Sequence, residues 1–148
     1  MALVFCLLGT TVPLTALAAG EDGEVQYIVS NDGTTLTIQG DGVITSQALD
    51  ANVTAEQKKT LTSVEIGAGV TGIADGYSSV FPAGVTNVTL KGSGAFRFGK
   101  YSFKGQKNLT VQSERTSLAI GSYAFHNAVL TEFPMDQLHT IGSYGFSN

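Results

Sequence analysis

Apolar residues in this chain recur in short alternating runs rather than at helical spacing. Val25-Gln26-Tyr27-Ile28-Val29 is a β-prone run, and Asn31-Asp32-Gly33 after it is a strong hairpin signal. Leu36 and Ile38 alternate with Thr35, Thr37 and Gln39, and Gly40-Asp41-Gly42 turns the chain again before Val43 and Ile44. These runs predict a small β-meander over residues 24–46. One stretch breaks the alternation. Residues 51–60, ANVTAEQKKT, place Thr54 and Gln57 at capping-box spacing and continue in good helix formers, which predicts one short helix.

From Leu61 the pattern repeats. Leu61-Thr-Ser-Val64-Glu-Ile66, Val85-Thr-Asn-Val88-Thr-Leu90 and Leu130-Thr-Glu-Phe133-Pro-Met135 all fit L-x-x-L-x-L, and Leu109-Thr-Val111 holds its last two positions with Gln106 at the first. Between these runs a second motif recurs: Phe98-Gly-Lys-Tyr-Ser-Phe103, Ile120-Gly-Ser-Tyr-Ala-Phe125 and Ile141-Gly-Ser-Tyr-Gly-Phe146, with Ile73-Ala-Asp-Gly-Tyr-Ser78 as a degraded copy. A period of about 20–29 residues with L-x-x-L-x-L strands is the signature of a leucine-rich-repeat solenoid. Each unit is too small to bury its own apolar face, so stacked units merge their faces into one core. Four inward ladders are expected: Val64, Val88, Leu109 and Phe133; Ile66, Leu90, Val111 and Met135; Ile73, Phe98, Ile120 and Ile141; and Phe103, Phe125 and Phe146. Gly99, Gly121 and Gly142 are read as the sharp turns of the return. Gly92-Ser93-Gly94 is read as a flexible insertion.

The fold expected is therefore mainly β: a leucine-rich-repeat solenoid with a parallel sheet and short return turns, after the meander and the helix. Residues 2–19 carry no charge, end on the small-residue site Ala16-Leu17-Ala18, and are followed by Glu21-Asp22-Gly23-Glu24. That pattern predicts a secretory signal over residues 1–18, although no Lys or Arg precedes the apolar run. Pro13 and the shortness of the run argue against a full membrane span. The division expected is a signal at 1–18, a cap at 19–60, and about four repeats at 61–148. The last repeat is read as truncated, the mark of a fragment of a longer protein or of a truncated gene. Cys6 is the only cysteine, so a chain cleaved after Ala18 would have no thiol or disulfide chemistry.

These residues together resemble the BspA-type leucine-rich-repeat family of bacterial surface proteins, whose motif is similar to L-x-x-I-x-I-P…V-x-x-I-G-x-x-A-F. Leu61–Ile66 with Gly69-Val70-Thr71-Gly72-Ile73 matches its first half, and Ile120-Gly121-Ser122-Tyr123-Ala124-Phe125 its second. Asp32–Gly42 is similar to the β cap that often precedes such repeats. The resemblance covers about residues 24–148. Departures are the degenerate stretch Ala74–Phe81, the insertion at Ser93–Arg97, and the missing cysteine near Gly105, Ala128 and Asn148. The resemblance implies a secreted or cell-surface adhesin that contacts protein or glycan on host cells, host matrix or other bacteria.

The residues themselves point to no catalytic chemistry. His126 and His139 are read as exposed loop residues, and no metal, thiol or nucleophile motif accompanies them. No cofactor is implied. Asn52, Asn87 and Asn108 match glycosylation sequons by pattern only. The net charge of −4 argues against a nucleic-acid partner, and no membrane insertion is expected after signal cleavage. A solenoid sheet does present a face. Ser63, Glu65, Asn87, Thr89, Asn108, Thr110 and Glu132 are expected to point outward as a polar, slightly acidic strip, the candidate binding surface. The tyrosines Tyr77, Tyr101, Tyr123 and Tyr144 recur at the return turn and are read first as structural, with the ring partly packed and the hydroxyl wet; a carbohydrate-stacking row is the alternative reading. The competing readings are a structural spacer or envelope-attachment repeat, and a repeat region that positions substrate for an enzyme domain outside this chain.

Overall fold

The alternation becomes sheet on both sides of every coil. The structure, a computed structural model, describes residues 24–148, so the expected signal and Cys6 lie outside the described residues. Strands β1 (Gln26–Val29), β2 (Thr35–Gln39), β4 (Ser63–Ile66), β6 (Asn87–Leu90), β8 (Leu109–Ser113) and β10 (Leu130–Glu132) form a six-stranded sheet in that order. Strands β3 (Gly42–Ile44), β5 (Val70–Ile73), β7 (Ala95–Phe98), β9 (Ser117–Ile120) and β11 (Leu138–Ile141) form a second, five-stranded sheet. All pairings are parallel except β1–β2. Both sheets contribute side chains to one continuous hydrophobic core. The solenoid expected from the repeats is present, and its return side is a regular sheet rather than turns alone.

The opening residues depart from a meander. β1 and β2 do form the expected hairpin, closed at Asp32, whose carboxylate accepts hydrogen bonds from Ser30 Oγ, Thr34 N and Thr34 Oγ1. β3, however, never pairs with β2. It leaves for the second sheet and pairs in parallel with β5, as β2 does with β4. Residues 35–44 are thus the first coil of the solenoid, and β1 alone is added to it in the opposite direction. The helix forecast is also incomplete. Two helices close this coil: α1 (Ser46–Asn52), N-capped by Thr45 Oγ1 accepting from Ala48 N at 3.1 Å, and α2 (Ala55–Thr60). The capping box of α2 forms as read, with Gln57 N donating to Thr54 Oγ1 at 3.2 Å and Thr54 N donating to Gln57 Oε1 at 2.9 Å. Residues 51–52 belong to α1, which buries Leu49 into the core and is joined to α2 by the Lys58–Asp50 ion pair.

Register follows the ladders with one slip. Leu36, Val64, Val88 and Val111 stand level across the first sheet, and so do Ile38, Ile66, Leu90 and Ser113. Leu109 and Val111 are expected to continue these rows, but the fourth coil, which opens with β8, is displaced by two residues. Both side chains are buried, so the slip keeps the same face inward. Gln106 takes the buried first position with its polar groups satisfied: Nε2 donates to Pro82 O at 2.7 Å and Val85 O at 3.1 Å, and Oε1 accepts from Ser79 Oγ at 3.0 Å. A register irregularity after Leu130 carries Phe133 inward, where its ring lies 5.4 Å from Phe125 and from Phe146. Met135 does not follow it into the core. It starts a 3-10 turn, Met135–Gln137, and is 61% exposed.

On the return side Phe98, Ile120 and Ile141 are level as expected, except that Ile141 is exposed, and Ile44, which the expected ladder lacks, stands level with Ile73. The phenylalanines stack as expected: Phe103 on Phe125 at 5.3 Å and Phe125 on Phe146 at 5.2 Å. Phe81 precedes them, 5.3 Å from Phe103, so the degenerate stretch still supplies its ring. The supposed insertion at Ser93–Arg97 is no insertion. Ala95–Phe98 is β7, and Gly92 and Gly94, at φ +76° and +97°, turn the corner between the sheets. Gly99, Gly121 and Gly142 have no left-handed backbone. They are needed because coils touch there: a Cβ on Gly121 would lie 2.8 Å from Phe98 O, and one on Gly99 2.3 Å from Ile73 O.

Candidate functional site

Period-2 alternation places one residue in two of each strand outside. On the first sheet these residues align into two rows. One runs Thr35, Ser63, Asn87, Thr110, Glu132, and the other Thr37, Glu65, Thr89, Gln112. Six of the seven residues expected on this strip are in these rows. Asn108 is not. It precedes β8 in the left-handed region at φ +53°, a conformation asparagine tolerates, and belongs to the corner where the register slips. Three row members, Thr35, Thr37 and Gln112, were missing from the strip. The first two lie in the first coil, where a separate cap is expected, and Gln112 enters the row through the two-residue slip of β8. Gln112 and Glu132 meet at a shallow depression of about 570 Å³ also lined by Val111, Ser113, Thr131, Phe133 and Pro134. The outward rows are polar, with Glu65 and Glu132 exposed.

The return side carries the second candidate. Tyr101, Tyr123 and Tyr144 stack in one row, with ring centroids 5.3 Å and 5.0 Å apart. Tyr77 is outside it, 95% exposed, because Gly76 occupies the level of Tyr101 in the preceding coil. The three stacked tyrosines all adopt positive φ, +63°, +58° and +59°. For a bulky side chain this region costs about 1–3 kcal/mol, so packing holds each ring in a place that glycine would occupy without strain. Lys100 Nζ and Lys104 Nζ both lie 5.1 Å from the Tyr101 ring centroid. His126 stands edge-on to Tyr123 at 5.5 Å, its Nδ1 2.8 Å from Ser147 Oγ. It is half-buried in the return turn rather than loose, and His139 is exposed on β11.

A buried cation lies between the two sheets. Arg115, 3% exposed, donates to Gly67 O at 2.7 Å, Ala68 O at 3.2 Å and Val70 O at 2.9 Å, and its guanidinium lies 5.3 Å from the Phe96 ring. Burial pushes its pKa below the ordinary arginine value, against the pull of Glu114. The group ties the corner between β4 and β5 from two coils away, a structural role that spacing gave no sign of. On the exposed side, Asp75 receives Lys100 N at 2.7 Å and Arg97 Nη2 at 2.8 Å. The Lys100 amide first and the Arg97 side chain second hold its carboxyl below the usual range.

Among the described residues no group of three or more His, Cys, Asp or Glu is placed to hold a metal ion, and no helix is long and apolar enough to cross a membrane. What the arrangement offers is surface: a polar sheet face on one side and a tyrosine row flanked by lysines on the other. No family model, curated protein or solved structure matches the chain.

Proposed function

We propose that the chain is a non-catalytic, exported interaction module of the BspA-like leucine-rich-repeat kind, part of a bacterial cell-surface or secreted adhesin. Its partners would be proteins or glycans on host cells, host matrix or other bacteria. The observation that supports this most is the polar outward face of the six-stranded sheet. Its two outward rows, from Thr35 to Glu132 and from Thr37 to Gln112, repeat hydroxyl, amide and carboxylate groups at the spacing of adjacent parallel strands. Such a face suits multivalent contact, in which each coil adds a weak contact and affinity grows by repetition.

The test is capture. The full chain, first verified by circular dichroism and a cooperative melt, is immobilised and exposed to matrix proteins and a glycan panel. Saturable capture that is lost in Glu65→Lys with Thr89→Arg is the expected result. A folded chain that captures nothing contradicts the reading and favours a structural spacer. Capture unaffected by the two substitutions removes the sheet face as the binding surface.

A further inference from the structure

The charge of this acidic chain is unevenly placed. Among the described residues, Lys58 pairs with Asp50, Lys59 with Glu56, Lys91 with Glu114, and Arg97 with Asp75, while Arg115 is buried on backbone carbonyls. The cations left without a carboxylate partner in direct contact are Lys100, Lys104 and Lys107. All three belong to one return turn, 99–108, and two of them flank the Tyr101 ring. Lys107 Nζ is held at its base by Asn127 O at 3.0 Å, next to His126. Asp75, which receives the Lys100 amide, is already engaged by Arg97.

We propose that this lysine-flanked tyrosine row binds an acidic polysaccharide, a sugar chain bearing carboxylate or sulfate groups, lying along the axis of the solenoid. The inference concerns the return turns rather than the sheet strip and does not rest on it. Charge complementarity selects the anion: three unpaired ammonium groups focus on one short turn of a chain whose net charge is −4. Ring geometry selects the sugar. Recognition of single-stranded nucleic acid uses open aromatic faces on which bases stack. Here the rings of Tyr101, Tyr123 and Tyr144 stack on one another, and Lys100 and Lys104 stand over the ring of Tyr101. The row instead offers ring edges and a file of phenolic hydroxyls, both donors and acceptors, which suit a hydroxyl-rich chain. The backbone strain at three successive tyrosines is a further sign that side chains are kept here in spite of local cost.

The experiment is isothermal titration of the full chain with alginate oligosaccharide (carboxylate), heparin oligosaccharide (sulfate) and neutral dextran of matched length. Binding of at least one acidic chain, with dextran silent, is expected, and which one binds identifies the anion. Lys104→Glu with Lys107→Glu should lower affinity about tenfold, with a weaker salt dependence. Lys104→Gln with Lys107→Gln should move it the same way by less. Tyr101→Phe, Tyr123→Phe and Tyr144→Phe together keep the stacked rings and should weaken saccharide binding by removing hydroxyls. The proposal is overturned if a cooperatively melting chain binds neither acidic saccharide. It also falls if poly-glutamate or oligothymidylate binds as tightly, or if Lys58→Glu with Lys59→Glu weakens binding equally, since net charge alone would then explain the result.

Discussion

Gly121 and Tyr123, two residues apart, divide between them what a single turn glycine was expected to do. Gly121 supplies room, because its backbone passes against Phe98 O of the preceding coil, and Tyr123 supplies the left-handed backbone. Gly121→Ala should therefore lower stability by about 1–3 kcal/mol, through overpacking against backbone that has no rotamer to yield. The check is chemical denaturation with an unchanged m-value. Arg115→Ala removes the guanidinium donor from the carbonyls of Gly67, Ala68 and Val70, of which Gly67 O keeps its bond from Val70 N, and about 1–3 kcal/mol should be lost for the buried acceptors left under-satisfied. Asp75 makes a pH prediction. Its folded pKa is depressed, so its contribution is present above the unfolded value of about 3.9 and is lost as pH falls through the lower folded value. The difference in Tm between the natural chain and Asp75→Asn should accordingly exist at neutral pH and vanish in acid. It should be small, because the carboxylate is 57% exposed. None of these three roles was visible from spacing. The motif marks where a glycine recurs but not which atom it approaches, and Arg115 takes its partners 45 to 48 residues earlier in the chain.

At the scale of elements, local chemistry was legible and register was not. The Thr54–Gln57 box announced α2, and Thr54→Ala should cost about 1 kcal/mol, read as lower stability in denaturation without loss of the β signal. α1 was missed because Thr45 caps it without a reciprocal Glu or Gln at the third helical position, which is Leu49's neighbour Ala48. The Asp-Gly hairpin announced β1 and β2, but nothing in Gly40-Asp41-Gly42 distinguishes a hairpin from a corner. The decision falls to β5, which offers β3 a parallel edge in the second sheet. The slip at β8 has the same origin. Leu-Thr-Val alternates with period two, so a shift of two residues keeps the same face buried and leaves the pattern unchanged. Only pairing with Val88 fixes it, and that pairing moves Asn108 off the strip and Gln112 onto it.

At the scale of the molecule, both candidate surfaces are consequences of one stacking. The sheet face exists because β2, β4, β6, β8 and β10 stand in register, and the tyrosine row because the same coils return at the same level. The repeat period and the inward ladders made this architecture legible; the second sheet and the clustering of Lys100, Lys104 and Lys107 required the fold. The most direct measurement is a set of interstrand contacts from nuclear Overhauser spectroscopy of the full chain. Cross-strand proton contacts should link Val64 to Val88 and Val88 to Val111 in parallel geometry, with ring contacts from Tyr101 to Tyr123 and from Tyr123 to Tyr144. Contacts that instead place Val88 level with Leu109, or that pair β2 with β3 as a hairpin, would contradict this stacking.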